Sequence, residues 1–113
     1  MKAAVIERYE ARAEVMKALA HPSRLYIVDE LSRGERCVHE LTDGIGSDIS
    51  TVSKHLRVLR SVGIVAGEKR GSEVYYSLRM ACVVDFFGCV EAVLRGGAGA
   101  ACRVRTAGEG EDR

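Results

Sequence analysis

The sequence predicts a mainly α-helical fold carrying a β-hairpin wing, a winged helix-turn-helix built to work as a homodimer. Three observations carry that expectation. Apolar residues recur at helical spacing in four successive segments up to about Val62. Two runs of strand formers follow, joined by a short Gly-containing turn, and they read as one hairpin. A last helix over residues 83 to 95 is apolar almost all round, so a single small chain cannot cover it.

Each element has its own signal. Residues 3 to 19 place Val5, Ile6, Tyr9, Ala13, Met16 and Leu19 near helical spacing, and His21-Pro22-Ser23 interrupts them. Ser23 is positioned to cap a second helix reaching about Leu31, with Leu25, Ile27, Val28 and Leu31 as its inner face. Ser32-Arg33-Gly34 closes it, Gly34 suiting a left-handed C-cap. A short helix is expected over about 37 to 43, then the loop Asp43-Gly44-Ile45-Gly46. A further helix runs to about Val62 with Val52, Leu56 and Leu59 inward, and Gly63 stops it. The strands are Ile64 to Glu68 and Glu73 to Leu78, with the turn in Lys69-Arg70-Gly71-Ser72. Residues 1 to 95 are thus expected to form one DNA-binding and dimerisation domain. The Gly-, Ala- and charge-rich residues 96 to 113 are expected to be a disordered tail.

Composition narrows the function classes. A chain of 113 residues buries only a modest core, and pairing with a second copy is a natural remedy. Its net charge of +1 says little about partners, so charge has to be read locally. No apolar run approaches the roughly 20 residues that span a bilayer, and the charged N-terminal stretch is unlike a secretory leader. We therefore expect no membrane association and a cytoplasmic location, where thiols stay reduced. Cys37, Cys82, Cys89 and Cys102 then read as free thiols, metal ligands or redox sensors rather than structural disulfides. None forms a CxxC pair, which weakens a zinc-ribbon reading. No nucleophile–base arrangement or phosphate-binding glycine loop is present, so an enzyme is not expected: His21 precedes Pro22 at a helix boundary, and His39 and His55 lie on separate helices.

The segment STVSKHLRVLR, residues 50 to 60, contains no acidic residue. Val52, Leu56 and Leu59 anchor the helix, leaving Ser50, Thr51, Ser53, Lys54, His55, Arg57 and Arg60 as candidate contacts to double-stranded DNA. Short hydroxyl and long cationic side chains at the N-terminal end of such a helix reach base edges in a major groove. Lys69 and Arg70 at the hairpin tip suit the flanking phosphates. A lone basic helix is more often a solvated face. Here a helix and Gly-containing turn precede it and a basic hairpin follows, which reverses the odds.

The stretches LAHPSRLYIVDEL, ERCVHEL, ISTVSKHLRVLRSVGIV and KRGSEVYYSLR resemble the ArsR/SmtB family of metal- and metalloid-responsive repressors, over about residues 10 to 95. The resemblance implies a homodimer whose first and last helices pair across a two-fold axis. It also implies an operator occupied without inducer and released by inducer binding, with no permanent cofactor. Family members sense at different places. One site holds zinc on the last helix with Asp, His and Glu; this helix offers Asp85 and Glu91 but no histidine, so that site is incomplete. Another begins the third helix in sequences reading ELCVCDL, where two thiolates grip a soft ion. Here Cys37 is retained and His39 replaces the second thiol.

Capture of As(III) or Sb(III) by three thiolates therefore cannot be completed within this segment, and Cys82 and Cys89 are the available sources of the missing sulfurs. In a regular helix those two stand about 10.5 Å apart along the axis, too far to share one ion. Either Cys82 precedes the helix in a bendable segment, or only one of the pair joins Cys37. Both also suit the role of small buried hydrophobes. Cys37 is the strongest candidate, because a helix N-terminus and Arg36 favour a reactive thiolate, and soft thiolates select soft ions. The same chemistry permits a reactive-sulfur or oxidant trigger through a Cys37–Cys89 linkage. Outside this class, the chain could serve as a dimeric protein-interaction module, which the acid-free face from Ser50 to Arg60 argues against.

Overall fold

The computed structural model describes residues 2 to 96. The chain falls into two compact units, one ending at Met80 and the other beginning at Ala81. The first holds α1 (Ala3–Leu19), α2 (Pro22–Leu31), β1 (Arg36–Cys37), α3 (Val38–Ile45), α4 (Ile49–Ser61), β2 (Val65–Arg70) and β3 (Glu73–Leu78). The second holds α5 (Val83–Leu94). The expected tail lies outside the described residues from position 97 onward, as does Cys102. Among the described residues, no helix is long and apolar enough to cross a membrane.

The core of the first unit is assembled from one stripe per element. Ile27, Val28 and Leu31 of α2, Leu41 of α3, and Val52, Leu56 and Leu59 of α4 are buried together with Ile64 and Val65 at the entry to β2. Each such side chain contributes on the order of 1.5–3 kcal/mol by leaving water. α1 contributes only Ala18 and Leu19 to this core, while Ile6, Tyr9 and Met16 stay exposed in the single chain. Its apolar spacing therefore marks a surface rather than an internal face. Leu25, expected on the inner face of α2, is 40% exposed.

Caps correct the expected boundaries. α2 is capped by His21, whose Nδ1 accepts from the Ser23 N–H at 3.1 Å, so Ser23 is the capped residue and not the cap. Pro22 takes the first helical position, where its missing N–H costs nothing. The helix closes at Ser32, and Gly34 lies beyond the cap with φ 144°. α3 continues through the expected loop to Ile45 and ends on Gly46. The reason is tertiary: Gly44 packs beneath Tyr26 of α2, so close that a Cβ there would overlap the tyrosine hydroxyl. The two-residue strand β1 has no periodicity to announce it. It joins the sheet in the order β1-β3-β2, Arg36 opposite Tyr76 and Cys37 opposite Tyr75. β2 and β3 pair from Val65–Leu78 to Arg70–Glu73, leaving Gly71 and Ser72 as the loop. Gly71 takes φ 65° at the first loop position, as a type II′ hairpin requires.

α5 begins where expected. Val83 and Ala92 are buried, whereas Val84, Phe86, Val90, Val93 and Leu94 are exposed, Leu94 by 74%.

Candidate nucleic-acid interface and cysteine positions

α4 separates its side chains cleanly. Val52, His55, Leu56 and Leu59 are buried. At about 100° per residue, Ser50, Lys54 and Arg57 stand opposite them, with Thr51 on one flank and Ser53 and Arg60 on the other. All are exposed except the half-buried Ser53. Among the described residues, Lys54, Arg57, Arg60 and Lys69 make no salt bridge. The helix starts on Asp48, which the acid-free reading of residues 50 to 60 passed over. Its Oδ1 accepts from the Thr51 N–H at 2.9 Å and from the Ser50 hydroxyl at 3.2 Å. Those bonds to Thr51, ahead of the nearby Lys54 charge, hold the Asp48 carboxyl below the usual carboxylate range. Asp48, the acid at the start of the cationic helix, is thus committed to capping it. An aspartate three residues before Thr51 at a helix start is an N-cap signal legible in sequence.

His55 is a correction. Expected to face DNA, it is turned into the core at 9% exposure. Its Nδ1 accepts from the Arg24 Nε–H at 3.1 Å, and its ring lies 4.4 Å from that of His21. Position 55 falls between Val52 and Leu59 on the inner stripe, so helical phase decided its direction. Burial first, then the neighbouring His21 and Arg24 charges, push its pKa down. Arg24 also reaches the Ala18 carbonyl at 3.4 Å, tying the end of α1 to the underside of α4. Neither Arg24 nor His21 is marked in the sequence as a support for α4.

The hairpin tip holds Lys69 and Arg70 side by side, with different surroundings. Lys69 is exposed. Arg70 donates through Nη1 and Nη2 to the two oxygens of Glu35 at 2.9 and 3.0 Å. It also donates to Glu68 Oε1, and its guanidinium carbon lies 5.0 Å from the centre of the Tyr75 ring. Expected as a phosphate contact, Arg70 is held by carboxylates. The hydrogen bonds from Arg70 correspondingly hold the Glu35 carboxyl below its ordinary range.

Cys37 is buried at 8% exposure and forms the N-cap of α3. It makes a capping box with Glu40, whose Oε1 accepts from the Cys37 N–H at 2.9 Å. Arg36 turns to the Glu35 carbonyl and approaches Glu30 at 3.8 Å, an engagement separate from the thiol. His39 is exposed, with Nε2 3.6 Å from Glu73 Oε2. In the second unit Cys82 is exposed and caps α5 with a helical backbone, φ −66° and ψ −13°. It therefore stands two turns from the half-buried Cys89, about 10.5 Å along the axis. The helix does begin after Cys82, as one alternative required, yet the helical backbone at Cys82 keeps the two cysteines about two turns apart, too far for one ion. Among the described residues, no group of three or more Cys, His, Asp and Glu side chains is gathered to hold a metal ion.

A helix pair with a cationic second helix, flanked by a hairpin, defines the winged helix-turn-helix class of DNA-binding transcriptional regulators. The chain belongs to the ArsR family: residues 21–66 match the family described as bacterial regulatory protein, arsR family. It is 44% identical over 72 residues to the HTH-type transcriptional repressor SmtB of Mycobacterium tuberculosis, covering 64% of this chain and 53% of SmtB. It is 34% identical over 87 residues to the regulator Rv0081 of the same species, with 76% of each covered. Among solved structures, a homodimeric winged helix-turn-helix DNA-binding domain from Mycobacterium bovis, a possible ArsR-family regulator, superimposes with TM-score 0.72. That domain is 32% identical, and the match covers 84% of this chain and 88% of the other. The chain spans about half the length of SmtB. These relatives and the fold are those of regulators and not of enzymes.

Proposed function

We propose that this chain is a homodimeric transcriptional repressor that sets α4 in the major groove of operator DNA and releases it when a thiophilic ion of the As(III) type engages Cys37. The observation that carries the reading is the α4 face, where Ser50, Lys54 and Arg57 project on the side opposite the buried stripe, with Asp48 tied up in the cap. Thr51, Ser53 and Arg60 on its flanks and Lys69 on the wing complete the contacts, the hydroxyls and long cations dividing between base edges and phosphates. The exposed apolar residues of α1 and α5 support pairing of two copies, and the M. bovis neighbour is itself described as homodimeric. Two recognition helices then meet half-sites about 34 Å apart.

For the trigger, Cys37 supplies a soft thiolate at the start of the helix-turn-helix. Serine variants of the other cysteines decide which further ligands take part. An inducer shifts the equilibrium only through its differential affinity for the DNA-free state. The test is fluorescence-monitored operator release of the reduced protein by arsenite. Cys37→Ser should abolish release while leaving operator affinity nearly unchanged. Release of the wild type by a persulfide donor, with arsenite inert, would overturn the metalloid reading in favour of a reactive-sulfur trigger.

A further inference from the structure

Among the described residues, Arg70 is the most heavily engaged cation on the surface. Its fork meets both oxygens of Glu35, a second carboxylate, Glu68, closes on Nε and Nη2, and one face lies over Tyr75. A single exposed ion pair is worth little, but a bidentate contact inside a network is a different case. Glu35 comes from the connector after α2, 35 residues away in sequence. Two residues further on is Cys37, whose backbone pairs with Tyr75 in β3. Tyr75 is therefore both the strand partner of Cys37 and the platform beneath Arg70.

Resting on the DNA-binding reading above, we propose that the Arg70–Glu35 clasp and the β1–β3 pairing join the Cys37 connector to the wing, with Arg70 a positioning residue rather than a phosphate ligand. Chemistry at Cys37 that displaces β1 then moves the wing directly, and Lys69 makes the phosphate contact at the tip. Were Arg70 to leave for a phosphate, Glu35 and Glu68 would be left uncompensated beside the polyanion, which like-charge repulsion opposes.

A charge swap separates the two roles. At fixed salt, Arg70→Glu should weaken operator binding about tenfold or more, since it breaks the clasp and sets a third carboxylate at the tip. The double variant Glu35→Arg/Arg70→Glu rebuilds the pair in reverse and should return to within about threefold of wild type. A double variant as weak as Arg70→Glu makes Arg70 a phosphate ligand and overturns the proposal. Amide hydrogen exchange without DNA is the second measurement. Glu35→Gln should speed exchange at both the wing tip and Arg36–Cys37, and unchanged protection at either place also overturns it. A wild type that binds no DNA while showing that coupled exchange would sink the repressor reading and leave the clasp standing.

Discussion

Replacing Lys54 and Arg57 together with Ala tests the reading of α4 most directly. Both side chains are exposed, stand opposite the buried stripe and make no salt bridge among the described residues. Alanine is also a better helix former than either, so the fold should tolerate the change within about 0.5 kcal/mol. The formal charge per chain falls by two, from +1. Each good base contact is worth about 1–3 kcal/mol, so the pair should cost at least about 2 kcal/mol at each half-site, or roughly 30-fold in Kd per half-site. A homodimer loses four cations. If all four meet phosphates, the plot of log affinity against log salt becomes shallower by about 3.6, and by less if some reach bases. Fluorescence anisotropy on a labelled operator at several salt concentrations measures both quantities, with circular dichroism confirming an unchanged melting curve. Unaltered affinity and slope in a folded variant would refute the assignment of α4 as the reading helix.

His55 gives a pH prediction. Its folded pKa lies below the ordinary 6.5, so the unfolded chain binds the proton first as pH falls. The stability it contributes is complete above about pH 6.5 and is lost progressively below it; urea midpoints at pH 7.5 and 5.5 should show this, and His55→Gln should flatten the change. Gly44→Ala should cost about 1–3 kcal/mol, because the new methyl collides with the rigid Tyr26 ring, lowering Tm by roughly 4–8 °C per kcal/mol. The penalty should shrink in a Tyr26→Ala background, and an equal loss in both backgrounds would contradict the close approach. Val90 and Leu94, one turn apart on α5 and both exposed, should convert a dimer into a monomer at micromolar concentration when both become Glu. Light scattering reads this, and a monomeric wild type would remove the basis for the homodimer.

Local chemistry made the element order and the DNA-facing segment legible in the sequence. The spacing of Val52, Leu56 and Leu59 sets the phase of α4, and that phase carries Ser50, Lys54 and Arg57 to the opposite side whatever the rest of the chain does. The hairpin followed from Gly71 between two strand-forming runs, and α5 from its apolar density. What the sequence could not supply were relations between residues distant along the chain. Leu25 has the spacing of a core residue, yet burial depends on which neighbouring elements arrive against that face. Helical phase alone turns His55 inward, but its partners Arg24 and His21 come from a distant part of the chain and cannot be read from that phase. β1 exists only because Tyr75 and Tyr76 present a free edge to Arg36 and Cys37. Arg70 reads as a phosphate contact until Glu35, 35 residues earlier, takes its fork. The sequence by itself determined the order of the five helices and the hairpin and which cations of α4 reach the surface, because those follow from period and propensity within a few turns. Only the tertiary structure decided which of those charges are already engaged, because pairing depends on distances set by packing between elements.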